Sequence, residues 1–265
     1  MSGGAIVLKL GGRALEGEAA LAELARDLTT LAGRAVIVHG GGAEVTAWCA
    51  RLGLESRFEA GRRVTDAATL EVATAVLAGL ANKRLVAGLR AHGVNAIGVA
   101  ALDGGIARVV PHSDPALGEV GVVEAIDPSL LNALLARGLT PVIASIGAWS
   151  GKLLNVNADD LAARLAPALG AEALVLLSDT PGLVLGGEVV PALDLATLEH
   201  ALASPEVTGG MAPKLEAART AVTGGARTAW ITTWNGAGTL PRLLAGTGGG
   251  TRIALAATGE EIVRG

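Results

Sequence analysis

The sequence predicts an α/β fold with a mainly parallel central sheet and helices on both of its faces. Three observations carry that prediction. Short apolar runs such as "AIVLKL", "AVIVH" and "ALVLLSD" alternate with longer stretches whose apolar residues recur at helical spacing. The first two of those runs lead into glycine turns, where a strand can hand over to its crossover helix. The chain has 265 residues, enough for one large or two modest α/β domains with a sizeable core.

The elements follow in order. "AIVLKL" is the first strand and Gly11-Gly12 ends it; "EAALAELARDLTTLAG" is a helix that stops at Gly33. "AVIVH" is a second strand, followed by the helix "AEVTAWCARLG". "SRFEAGRRVT" reads as an extended excursion or hairpin before a helix from Asp66 through Leu80. "NAIGVA" and "ARVVP" are strands around the turn Asp103-Gly104-Gly105, "GLTPVIASIG" is one buried strand, and "ADDLAARLAPALG" is a helix. "ALVLLSD" ends at the turn Thr180-Pro181-Gly182; helices near 194–203 and 211–224, "RTAWIT" and "TRIAL" complete the pattern. No Pro- or Ser-rich linker and no repeat of fixed period divides the chain. Two lobes on one continuous sheet are expected, 1–170 and 171–265.

Composition removes several function classes. A net charge of −4 gives no electrostatic case for nucleic acid, and one Phe, four Trp and no Tyr leave few stacking platforms. The lone Cys49 excludes an internal disulfide and a cysteine metal cluster. His39, His92, His112 and His200 are scattered without zinc spacing, so no protein-held metal is expected. Charged residues interrupt the long apolar stretches, and "MSGGAIVLKLGG" reads as a first strand and not a signal peptide. A soluble cytoplasmic protein without a membrane partner is expected.

The glycine turns hold the chemistry. "VHGGG" resembles the oxyanion loop of an ester hydrolase, but no serine has a glycine two positions before it, so the nucleophile elbow is missing. Neither a P-loop nor a dinucleotide-binding fingerprint is present. What remains is a pair of strand-ending glycine turns, one preceded by Lys9 inside an apolar strand. Such a lysine either snorkels from an edge strand or aims a cation at a phosphate beside the glycines. In "LLNVNADDLAARL", Asn155, Asn157 and Asp159 alternate and face one side if the stretch is extended; alternatively Asn157 or Asp159 caps the next helix. In "VTGGMAPKLEAARTA", Gly209-Gly210 open a helix, Pro213 suits its first turn, and Lys214 sits where the helix end is already positive. A lysine there either answers an anion bound nearby or is a solvated surface lysine.

Taken in order, "KLGG", "VHGGG", "GRRVTD", "ANK", "NVNADD", "LLSDTPGL", "GGMAPK" and "GTRI" resemble the amino acid kinase family, in its branch that phosphorylates N-acetyl-L-glutamate for arginine biosynthesis. Together they span nearly the whole chain. Pro213 is a departure from the family pattern. The resemblance implies a three-layer αβα sandwich, with the acyl substrate and the dimerisation surface on 1–170 and ATP on 171–265. It implies that Lys9 and Lys214 contact the phosphoryl group in flight and that Asp159 holds the two lysines in place. Gly11, Gly12, Gly41 and Gly42 would offer N–H groups to phosphate oxygens and the attacking carboxylate. Arg63 and Asn155 would grip the α-carboxylate and acetamido end of the acyl substrate. Ser178, Asp179, Gly182, Gly209 and Met211 would surround the nucleotide, ATP with Mg²⁺.

The expected reaction is attack of the γ-carboxylate on the γ-phosphorus. That carboxylate is ionised at neutral pH, so no general base is required. Two alternatives stand beside it: a kinase for a carrier-protein-linked α-aminoadipate in lysine biosynthesis, for which the two arginines of "EAGRRVTD" speak, and a non-catalytic nucleotide sensor on the same fold. A homodimer insensitive to arginine is expected, because "MSGG" is too short for the extra N-terminal helix of arginine-sensitive relatives.

Overall fold

The first apolar run is buried on both faces and becomes the central strand β1 (Ile6–Leu10) of a computed structural model that describes residues 3–11, 17–59 and 61–255. Successive side chains of a strand leave opposite faces. Ile6 and Leu8 enter the apolar layer under α1 (Glu18–Thr30), whereas Val7 enters the layer on the other face. Lys9 shares the face of Val7, two residues along.

The chain continues through β2 (Ala35–His39), α2 (Gly42–Arg51), the hairpin β3 (Phe58–Glu59) and β4 (Arg62–Arg63), α3 (Ala67–Thr74), α4 (Asn82–Ala91) and β5 (Ala96–Ala100). Next come β6 (Ala107–Pro111), β7 (Val120–Ile126), α5 (Ser129–Ala136), β8 (Thr140–Ala144), β9 (Ile146–Trp149), β10 (Lys152–Val156) and α6 (Ala158–Ala168). The remainder holds β11 (Ala173–Leu177), β12 (Val184–Leu185), β13 (Glu188–Val189), β14 (Ala192–Leu193), α7 (Leu195–Leu202), α8 (Met211–Thr223), β15 (Thr228–Thr232), α9 (Thr239–Leu244) and β16 (Thr251–Ile253). The central sheet runs β14-β16-β15-β11-β1-β2-β8-β5, with β15 and β16 its one antiparallel pair. Helices α1, α4 and α9 cover one face and α5 to α8 the other, so the chain is a three-layer αβα sandwich. Strands before residue 170 fill the sheet from β1 to β5, and those after it fill the other half. Because β1 lies between β2 and β11, the chain leaves it in both directions, and a crevice opens at the carboxyl ends of these strands.

Three expectations are corrected. "GLTPVIASIG" is two strands: β8 pairs in the central sheet, and after Ser145 the chain crosses to a second sheet, β6-β7-β10-β9. The helix expected to end at Leu80 does not end there. Asp66 caps it, accepting from the Thr69 N–H at 2.8 Å, but no breaker follows "GLANK", and the helix passes through a π-helical segment (Ala75–Ala81) into α4. The continuous run Ala67–Ala91 is, by length and composition, apolar enough to cross a membrane, where the sequence reading found no such stretch. Here α4 packs against α1, β5 and β8. Finally, β7 and α5 form in the stretch 112–138, which the sequence reading leaves unassigned.

Candidate active site

Strand β10 hands over to α6 through Asn157, whose side chain accepts from the N–H groups of Asp159 at 2.8 Å and Asp160 at 3.1 Å. That cap satisfies two free donors of the helix start and places Asp159 in the first turn. The three polar residues therefore do not alternate along one extended stretch: Asn155 is the last residue but one of β10, Asn157 caps and Asp159 is helical. They still line one cavity of about 220 Å³, because the turn swings them to the same side.

Asp159 meets both lysines. Lys9 Nζ lies 2.8 Å from Oδ1 and Lys214 Nζ 3.5 Å from Oδ2. Lys9 and Asp159 are both 7% exposed, so the snorkelling alternative for Lys9 does not hold. Burial alone pushes the Asp159 carboxyl up, but Lys9 and then Lys214 outweigh it and hold the group below its ordinary value. The trio of two ammonium groups and one carboxylate carries a net positive charge. Pro213 is the third residue of α8, where its missing N–H removes no intrahelical bond, and Lys214 follows it undisturbed.

The glycines around this trio are small for a reason. A Cβ on Gly11 would lie 2.7 Å from Lys9 Nζ and 2.8 Å from the Leu177 carbonyl. A Cβ on Gly41 would lie 2.7 Å from Leu77 Cδ2. Gly41 and Gly42 line the cavity at the start of α2, so a positive helix end faces it. Gly12 lies outside the described residues. Arg63 is buried and committed inward: it donates to Ser56 Oγ at 2.8 Å, the Gly42 carbonyl at 2.8 Å and Thr46 Oγ1 at 2.7 Å, and stacks on Phe58. Asn155 donates to Thr65 Oγ1 at 3.1 Å.

The candidate nucleotide residues lie apart from that lining. Ser178 follows β11 and its N–H donates to the Thr232 carbonyl at 2.8 Å; Asp179 is its exposed neighbour. Gly182 faces Thr251, where a Cβ would come within 2.7 Å of Oγ1. Gly209 adopts φ +58°, and Met211 is the first residue of α8, three before Lys214. Lys214 is thus the link between the two groups.

A profile of the amino acid kinase family matches residues 4–233. The chain belongs to the amino acid kinase family. It is 46% identical over 220 residues to the acetylglutamate kinase of Rubrobacter xylanophilus, an alignment covering 83% of this chain and 85% of that one. It is 44% identical over 245 residues to the acetylglutamate kinase of Methanopyrus kandleri, covering 87% and 95%. Among solved structures, smu.665 of Streptococcus mutans UA159 superposes with a TM-score of 0.79 at 28% identity, over 95% of this chain and 99% of that one.

Within this amino acid kinase, several lining residues escape a sequence-level search. Ser145 lines the cavity from the crossing between the two sheets. Arg62 lines it from the hairpin, its guanidinium 2.7 Å from Asp160 Oδ2 on α6. The doubled arginine of "GRRVTD" was visible as a basic pair, but only the fold shows both heads directed inward. His39 and Asn82, inside the quoted "VHGGG" and "ANK", are buried and in contact with each other.

Proposed function

We infer that this protein transfers the γ-phosphoryl group of ATP to the γ-carboxylate of N-acetyl-L-glutamate, giving N-acetylglutamyl 5-phosphate, a step of arginine biosynthesis. The observation that carries the reading is the Lys9–Asp159–Lys214 trio beside the glycine turns, with Lys9 and Asp159 buried and Lys214 half-buried. The kinship with acetylglutamate kinases supports the choice of acyl substrate.

Each group has a role under this reading. The reaction brings two anions together, so the protein's task is positioning and charge neutralisation. Lys9 and Lys214 stabilise the charge spread over the transferring phosphoryl group. Asp159 organises them and takes no proton, since the nucleophile is already ionised. The N–H groups of Gly11, Gly12, Gly41 and Gly42 serve phosphate oxygens and the attacking carboxylate, and Arg63 and Asn155 hold the far end of the acyl substrate. Ser178, Asp179, Gly182, Gly209 and Met211 surround the nucleotide on the 171–265 lobe, while 1–170 carries the acyl site. Mg²⁺ enters with ATP as part of that substrate, on phosphate oxygens. A cytoplasmic homodimer completes the proposal; the exposed Leu80 on the long helix and Trp149 and Leu153 on β9 and β10 supply apolar surface for it.

The carrier-linked alternative loses its argument, because neither arginine of the hairpin is offered outward as a basic docking surface. The deciding assay supplies ATP with N-acetyl-L-glutamate or with carrier-linked α-aminoadipate and traps acyl phosphate with hydroxylamine. Turnover with the first is expected. Turnover with the second alone would overturn the reading.

A further inference from the structure

The sheet face opposite Lys9 carries a second buried group that the reaction above does not use. His39 ends β2 and points away from the trio, into the layer of Ile37, toward α4. There it meets Asn82, which is fully buried at the first residue of α4, directly after the π-helical segment. Asn82 Nδ2 donates to the Val142 carbonyl at 2.9 Å and lies 3.1 Å from His39 Nε2, while its Oδ1 accepts from Lys83 Nζ at 3.0 Å. His39 Nδ1 lies 2.9 Å from the Gly40 carbonyl. Gly98 makes room for the pair, since a Cβ there would stand 2.0 Å from Asn82 Oδ1.

The hydrogens in this chain are forced. The Val142 carbonyl only accepts and the Lys83 ammonium only donates, so the amide of Asn82 has one orientation. Its second N–H then faces His39 Nε2, which must be an acceptor. The ring hydrogen therefore sits on Nδ1 and is donated to the Gly40 carbonyl. Burial holds the ring's pKa below its ordinary value, outweighing the hydrogen bond to the Gly40 carbonyl and Glu44 of α2, which oppose it, while Lys83 of α4 adds to it. A peptide unit is planar and trans, so a fixed Gly40 carbonyl fixes the opposed N–H of Gly41. The same helix acts again one turn earlier, where Leu77 packs on Gly41.

We propose that His39 and Asn82 are positioning residues of the glycine turn: Asn82 sets the tautomer of His39, and His39 holds the Gly40–Gly41 peptide so that the Gly41 N–H is pre-aimed for its anionic ligand. This rests on the kinase reading of the cavity. The turn is then braced from behind by the neutral pair His39 and Asn82, which the exposed Lys83 ammonium orients from its solvent side.

Substitutions at His39 separate positioning from packing. The amide nitrogen of an asparagine stands where Nδ1 stands and can still donate to Gly40; that of a glutamine stands where Nε2 stands and cannot. His39→Asn should keep a kcat at least about 10-fold above His39→Gln and His39→Leu, although all three lower the Tm alike. Equal losses for Asn and Gln would overturn the proposal. The second measurement needs no turnover: the ring ¹⁵N shifts of the wild type should report the Nδ1–H tautomer, and Asn82→Ala should release it to a mixture. A wild-type ring protonated on Nε2 refutes the relay even if every His39 variant fails to fold. A wild type that makes no acyl phosphate but has the Nδ1–H ring refutes the kinase reading and leaves the tautomer relay standing.

Discussion

On the α6 face of β1, Lys9, Asp159 and Lys214 bring three formal charges within ion-pair distance. On the α4 face, where the other side of the glycine turn is held, the buried His39 and Asn82 carry none. The contrast follows from what each face must do. A buried charge is tolerated only where another charge answers it, and an unanswered one costs several kcal/mol. The α6 face leaves a positive excess that a phosphoryl group can answer. The α4 face only has to aim a peptide; the buried His39 and Asn82 do that as neutral groups, and the one ammonium they bond, Lys83, is exposed.

The comparison breaks most sharply at the lysines. Lys9→Ala or Lys214→Ala should lower kcat by about 100-fold or more with little change in either KM, since each acts mainly on charge that develops in the transition state. Arg63→Ala should instead raise the KM for N-acetyl-L-glutamate. Steady-state kinetics with both substrates varied checks the split; the reverse pattern would reject the assignment. A smaller effect is expected at Gly11. The methyl of Gly11→Ala would stand 2.7 Å from the Lys9 ammonium and 2.8 Å from the Leu177 carbonyl, which is fixed in the sheet, so both the lysine and the turn itself must give way. A kcat loss of roughly 10-fold together with a lowered Tm is expected in kinetics and thermal melts, because the Lys9–Asp159 geometry and the backbone of the turn are disturbed together.

A separate effect is on stability and depends on pH. Asp159 is held below its ordinary pKa, so its ionised form favours the folded state. That contribution is fully present above the unfolded value near 3.8 and is lost as the pH falls through the folded value. Asp159→Asn removes the charge, lacks this acid-dependent term and leaves the two ammonium groups uncompensated. Denaturant titrations should show the wild type more stable by about 3 kcal/mol at neutral pH, with the gap narrowing below pH 4. A gap that stays constant on acidification would refute the linkage.

Much of this was legible in the sequence, and the rest was not, for identifiable reasons. The central strands show because burial on both faces makes them continuous apolar runs, and a lysine inside one of them stands out. The chain-order motifs placed Lys9, Asp159 and Lys214 together before any geometry did. The run Asn155–Asp159 was ambiguous because an Asx residue before a helix and an alternating strand present the same letters. The break at Ser145 has no letter at all: it arises because the two halves of one apolar run find partners in different sheets. His39 and Asn82 are each unremarkable in sequence and meet only because β2 and α4 are packed in one layer.

The π-helical segment has a further consequence for how this helix can vary. A π turn accommodates an extra residue within an otherwise α-helical path. Removing one residue from Ala75–Ala81 would let the segment close into regular α-helix with the turns after it nearly in phase, whereas adding one would rotate them by about 100°. The phase between Leu77 and Asn82, and so between the two grips on the glycine turn, is set by that single surplus residue. Substitutions in the segment are tolerable wherever size permits, but its length is free in one direction only: a one-residue deletion closes the π turn, and an insertion re-times the helix against the sheet, whichever amino acids are used.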